Sequence, residues 1–260
     1  MVRRQLKNPP LVEVILEVRW ELQNAGEAHI KVDPHYSILL GKLYDRLQGS
    51  YPYHEQLPQA SIPDEISGYV VKHRFRHEQG GWPLVQLGPG ILTVNHTKKY
   101  TTFNEFCPLA VSAVRHLFEV YPKPEILNIS SLLLRYIDAK EFDYQKENIQ
   151  VFLRDKMGVP LSLPEKLFEN TGVDKVPRNL TWNCSFACSK PRGLATLKFA
   201  TGLSNGKPAL IWEQIVKSGR RDVPDMPSGF ENWIRRAHKI TESWFLSLIK
   251  GDLEKEFNNE

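Results

Sequence analysis

The sequence predicts an α+β fold made of two related β-α-β-β-β-α halves, with mostly antiparallel sheets and helices packed on one side. Two observations carry that expectation. Ile15-Leu16-Glu17-Val18-Arg19-Trp20-Glu21-Leu22 and Ser131-Leu132-Leu133-Leu134-Arg135-Tyr136-Ile137-Asp138 are similar strand phrases, and Leu-x-Val-Arg-Trp aligns with Leu-Leu-Leu-Arg-Tyr without a gap. Each phrase then opens the same series of strand, helix, three-stranded meander and helix. Residues 1–125 and 126–260 therefore read as two copies of one unit. A meander with its helices set to one side is the α+β pattern.

In the first half, Asn8-Pro9-Pro10 favours an extended entry. Residues 11–22 alternate with a period of two, with Val12, Val14, Leu16, Val18 and Trp20 on one face and Glu13, Glu17, Arg19 and Glu21 on the other. Asp33-Pro34 marks a helix start, with Asp33 as N-cap, and Tyr36, Leu39, Leu40, Leu43, Tyr44 and Leu47 follow at helical spacing until Gly49. The proline-bearing residues 50–67 read as an irregular connection. Strands are expected near 68–78, 82–88 and 90–97, with Gly80-Gly81 and Gly88-Pro89-Gly90 as turns, and a helix over about 104–121.

The second half repeats this order: a strand over 130–142, a helix over about 146–157 and a connection over 158–178. Strands near 180–189, 193–203 and 208–218 are divided by turns at Pro191-Arg192-Gly193 and Ser204-Asn205-Gly206. The last helix sets Phe230, Trp233, Ala237, Ile240, Trp244 and Leu248 three and four apart. The mixed-sign tail from Asp252 to Glu256 reads as a solvated helix end.

With 41% hydrophobic and 25% charged residues, the composition is that of a folded domain and not of a disordered chain. No apolar run approaches the roughly 20 residues that span a bilayer, and the basic N-terminus lacks an apolar signal core, so a cytoplasmic location is expected. Three cysteines, Cys107, Cys184 and Cys188, form no disulfide framework. Cys184 and Cys188 fall on one face of a strand and read as small buried apolar residues without partners for a structural metal. The net charge of +4 permits an acidic partner without requiring one.

Asn8-Pro9-Pro10-Leu11-Val12-Glu13-Val14, Leu133-Leu134-Arg135-Tyr136-Ile137 and the overall length resemble a sporadically distributed bacterial family of uncharacterised proteins. The resemblance implies no catalytic residue. Its patchy distribution implies mobile-element or antiviral defence genes over core metabolism.

Signatures for phosphate loops, dinucleotide binding, zinc proteases and serine hydrolases are absent, and no cofactor or metal site is expected. The expected role is binding, of a protein partner, a second copy or an anionic ligand held between the halves. Arg19 and Arg135, beside Trp20 and Tyr136, are the candidate ligand-binding residues if a pseudo-twofold axis brings them together. The plainer reading pairs each arginine with a carboxylate such as Glu17, Glu21 or Asp138, or stacks it across its sheet. The alternative role is nucleic-acid binding by Lys72, Arg74, Arg76, Lys98, Lys99, Arg235 and Lys239. A second alternative is phosphodiester hydrolysis by His73, His77 or His96, which requires a converging carboxylate. His73 and His77, with His96 or His116, also make a weak metal set, against the plainer reading of hydrogen-bonded core histidines.

Overall fold

The computed structural model of the protein describes residues 6–26, 30–97 and 102–258. The chain opens with β1 (Leu11–Trp20), a small hairpin β2 (Gln23–Ala25) and β3 (Ile30–Val32), and helix α1 (Tyr36–Leu47). The strands β4 (Tyr53–Gln56), β5 (His73–Arg76), β6 (Leu84–Gly88) and β7 (Ile91–Thr97) precede helix α2 (Phe103–Val120). The chain continues through β8 (Ile129–Glu141), α3 (Ile149–Met157), β9 (Thr181–Ser189), β10 (Arg192–Ser204), β11 (Lys207–Gly219), α4 (Phe230–Ile249) and α5 (Asp252–Asn258).

Nine strands form one antiparallel sheet in the order β4-β5-β6-β7-β1-β8-β11-β10-β9. The expected α+β architecture is therefore present, with residues 1–125 and 126–260 contributing to one continuous sheet. The seam is the β1–β8 ladder, in which Leu16 faces Leu134 and Val18 faces Leu132. Outward from it the order is β7-β6-β5 on one side and β11-β10-β9 on the other.

Period-two alternation decides which face the helices cover. Val14, Leu16, Val18, Trp20, Leu132, Leu134 and Val216 turn to one side, where they pack with Leu39 and Leu43 of α1, Phe106 and Ala110 of α2, and Trp233 and Ala237 of α4. A second cluster on the same side joins Phe199, Leu210 and Trp212 to Phe152 and Leu153 of α3 and Leu253 and Phe257 of α5. All five helices thus lie on one face of the sheet.

Several expectations change in detail. Asp33 does not cap α1, which starts at Tyr36. Its carboxylate instead accepts from Trp20 Nε1 (2.8 Å), Tyr121 OH (3.0 Å) and the His35 amide (3.0 Å), tying β1 to the ends of both flanking helices. The stretch 50–67 is not wholly irregular, because the proline-free run between Pro52 and Pro58 pairs with β5 as strand β4. The strand expected over 68–78 is confined to His73–Arg76, since Tyr69 sits at φ 65, outside the extended region. Cys184 and Cys188 are partly exposed on β9; among the three cysteines only Cys107 is buried. The tail helix α5 is not purely solvated, because Leu253 and Phe257 reach the core.

Candidate functional site: the helix-free face of the sheet

The opposite face carries the odd-numbered residues of β1 and β8 and their neighbours in register, and no helix covers it among the described residues. Its first half is a hydrogen-bonded ladder across five strands. Glu55 on β4 accepts from Arg76 Nε (3.1 Å) and Arg74 Nη1 (3.5 Å) on β5. Arg74 Nε donates to Gln86 Oε1 on β6 (3.0 Å), and Gln86 Nε2 donates to Thr93 Oγ1 (3.1 Å) and Asn95 Oδ1 (3.2 Å) on β7. Asn95 Nδ2 then donates to Glu13 on β1 (2.8 Å). The ladder forms because Glu55, Arg74, Gln86 and Thr93 stand directly opposite one another in register.

The second half is held differently. Glu213 on β11 takes Arg135 Nη2 at 2.7 Å and Lys198 Nζ at 3.2 Å, joining β8, β11 and β10 through one buried carboxylate. Ile15, Leu133, Ile137 and Ile215, all half-buried, surround Arg135 in register across β1, β8 and β11 and make an apolar patch at the seam with Arg135 at its centre. Lys217 stands exposed at its border. Around the seam and in the two networks six cations (Arg19, Arg74, Arg76, Arg135, Lys198 and Lys217) meet four carboxylates (Glu13, Glu17, Glu55 and Glu213), and at the far ends of the strands Lys207 pairs with Glu141 and Arg192 with Asp222, so the face carries a modest positive excess.

Arg19 and Arg135 share this face without converging. Arg19 stands opposite Ser131 whereas Arg135 stands opposite Ile15, a stagger of four residues along β8. Arg19 pairs with Glu17, with its Nε 2.7 Å from the carboxylate, and lies over the Tyr69 ring at 5.2 Å, while Arg135 binds Glu213. Of the carboxylates expected for them, Glu17 is used and Asp138 is not. Residues 135 and 138 differ by an odd number, so Asp138 points to the helices. Trp20 and Tyr136 point there too, Trp20 onto Asp33 and Tyr136 onto His238 Nδ1 (2.9 Å).

The basic residues expected for nucleic acid are dispersed. Lys72 is buried on Asp64 (2.5 Å) and the Ile62 carbonyl, and Arg74 and Arg76 belong to the ladder. Arg235, paired with Glu231 at 2.7 Å, and Lys239 lie on α4, across the sheet from them. Lys98, Lys99 and Tyr100 lie outside the described residues.

The histidines are likewise separate. His73 Nδ1 meets His54 Nε2 at 2.9 Å, and burial, then His54 and Lys72, hold its pKa below the usual value. His77 is exposed beside the Ser50 carbonyl (3.3 Å), His116 contacts Glu119 on α2, and His96 lies on the helix side, where burial lowers its pKa. Among the described residues, no three His, Cys, Asp or Glu side chains are placed to hold a metal ion. No helix among them is long and apolar enough to cross a membrane.

One buried group escaped the sequence reading. Asp138 stands opposite Trp212 in register, and the Gln214 amide, in the orientation that satisfies both neighbours, donates to Asp138 Oδ2 (3.2 Å) and accepts from Trp212 Nε1 (3.1 Å). Desolvation pushes the Asp138 carboxyl up to about 8, so it is mostly protonated at neutral pH. Its even register with Leu132 and Leu134 is the signal that marks it as a core position.

No family model matches the chain, and no curated protein matches it. Among solved structures, the di-domain ARO/CYC StfQ from the steffimycin biosynthetic pathway is similar over 94% of this chain and 98% of its own, at 10% identity and a TM-score of 0.20. Likeness at that level carries no argument about fold or function.

Proposed function

We propose that this chain is a non-enzymatic binding protein that docks a protein partner on the helix-free face, across the β1–β8 seam. The observation that supports this is the one-sided distribution of helices, which leaves a nine-stranded face whose seam carries an apolar patch around the paired Arg135, beside the hydrogen-bonded ladder of the first half. An apolar patch that holds an arginine and is bordered by polar groups has the composition of a protein interface. Arg19, Arg74, Arg76, Arg135 and Lys198 already hold carboxylates and Lys217 stands exposed, which favours a mixed or acidic protein surface over a small anion. His73 meets His54, His77 lies beside the Ser50 carbonyl and His96 lies on the helix side near Glu105, so the three histidines do not converge and the geometry gives a hydrolase reading little support. Placing the chain in a mobile-element or defence system rests on the family resemblance alone.

The test is a pull-down of the tagged full chain from its native cell, with nuclease-treated and untreated lysate in parallel. A stoichiometric protein that survives nuclease, is lost with Leu133→Glu and is kept with Ile38→Glu on the exposed side of α1 is the expected result. Retention with Leu133→Glu overturns the docking face. Recovery of nucleic acid alone, with affinity falling steeply with salt, overturns the protein partner.

A further inference from the structure

The two edges of the sheet are unequal. The β4 edge has four residues between Pro52 and Pro58 and carries Glu55, so proline and charge protect it. The β9 edge is nine residues, Thr-Trp-Asn-Cys-Ser-Phe-Ala-Cys-Ser, with no charge, no proline and no break in its register with β10. Among the described residues nothing pairs its outer side.

Backbone geometry shows what that side offers. The Leu180 carbonyl accepts from the Thr201 amide (2.9 Å), and Leu180 and Thr201 continue the β9–β10 register. Even-numbered residues of β9 therefore turn their peptide groups to β10, and odd-numbered residues turn theirs outward. On the helix side, Phe186 is 52% exposed and meets Trp244 edge-on at 6.0 Å. With Leu197, Ser247 and Leu248 these rings border an open apolar groove of about 310 Å³ between the β9–β10 pair and α4.

We propose that a second copy of this chain pairs antiparallel along β9, with a twofold axis through Phe186. β9 is close to symmetric about that residue: Ser185 and Ala187 flank it at one step, Cys184 and Cys188 at two. A strand that pairs with itself sets each residue opposite its mirror position, so a charge near the axis meets a like charge. β9 has none. In this register the outward peptide groups of Ser185 and Ala187 exchange hydrogen bonds with the partner's Ala187 and Ser185. Phe186 packs on the partner's Phe186 at the mouth of both grooves, and Cys184 faces the partner's Cys188 at a non-hydrogen-bonded site, where cross-strand side chains approach closest. The interface goes beyond the proposed docking and uses none of the residues at the β1–β8 seam.

Light scattering of the full chain tests this, with an expected mass of twice the 30.0 kDa chain. Ala187→Pro deletes an outward amide and leaves the β10 ladder intact, and should halve the mass. Phe186→Lys should do the same by setting two charges on the axis, and covers the case in which the proline variant fails to fold. Copper–phenanthroline oxidation should link the chains through Cys184 and Cys188, a product lost equally in Cys184→Ser and Cys188→Ser. A monomeric wild type overturns the proposal, as does a dimer that survives both edge variants. A dimer lost in those variants but never cross-linked through this pair overturns the axis at Phe186.

Discussion

Leu133 and Leu134 are neighbours in β8 with the same side chain, and they face different media. Leu134 is fully buried beneath the helices, in a cluster drawn from both halves of the chain. Leu133 lies on the helix-free face, half-buried between Glu17 and Lys217 in the apolar patch around Arg135. The helix side holds the fold together, and the other side is where the proposed docking falls. Truncation separates the two sharply. Leu134→Ala should cost about 2–5 kcal/mol in denaturant unfolding, through lost transfer energy and a residual cavity. Leu133→Ala should cost under about 1 kcal/mol, because it leaves no closed cavity. Equal losses at the two sites would show that Leu133 is covered, and the contrast between the faces would fall.

The second contrast is between carboxyl groups. Asp138 is buried on the helix side with amide and indole neighbours, whereas Glu213 on the open side holds two cations. Because burial raises Asp138 from the ordinary 3.8 to about 8, the unfolded chain ionises first as pH rises. The contribution of this group to stability is complete below pH 4 and is lost progressively up to about pH 8. Its slope approaches about 1.4 kcal/mol per pH unit within that window. Asp138→Asn should flatten that slope and stabilise the chain more at pH 8 than at pH 4, as read from thermal melts across the range. An unchanged pH profile would mean that the carboxyl reaches water. His73 acts at the acid end with the opposite sense: its lowered pKa gives stability that is present above about 6.5 and lost as pH falls.

These contrasts mark where the sequence was legible. The alternation of residues 11–22 predicted β1 and most of its buried face, because a period of two is local information, and the apolar phrase within 130–142 predicted β8. The helical stripes of Leu39/Leu43 and Trp233/Ala237 were legible for the same reason. The ladder from Glu55 to Glu13 was not: it depends on five strands standing in register, and Glu55 lay in a proline-rich stretch with no strand signal of its own. Glu213 as the partner of Arg135 was hidden likewise, being 78 positions away in sequence and adjacent only once β11 lies against β8. Asp138 was misassigned to Arg135 by proximity in sequence, although parity along the strand separates them.

Glu213→Gln sharpens the comparison of the two networks on the open face. It removes one carboxylate from two cations that are each about a third exposed, so water recovers part of the loss. A cost of about 1 kcal/mol, smaller at high salt, is expected. Glu55→Gln in the ladder should cost a similar amount, while Arg74 keeps Gln86 as a second acceptor. A Glu213 effect that salt does not change would indicate that steric packing, and not charge, holds the second network.

The smallest effect should fall on Arg19. Its Nη2 donates to Glu17 at 3.0 Å, its Nε lies 2.7 Å from the same carboxylate without hydrogen-bond geometry, and its guanidinium covers Tyr69. Both partners of the ion pair belong to the same strand, two residues apart, so the contact closes no loop and orders nothing that β1 has not already ordered. Its side chain is 36% exposed, which screens the pair further. Arg19→Ala should therefore shift stability by no more than about 0.5 kcal/mol in urea unfolding, with the change vanishing as salt is raised. Arg135→Ala should exceed it, because that pair bridges two strands onto a nearly buried carboxylate. If Arg19→Ala cost as much as Arg135→Ala, the stacking on Tyr69 would be holding the loop that precedes β5 against β1. Arg19→Lys, which keeps the charge and loses the planar fork, would then reproduce most of the loss.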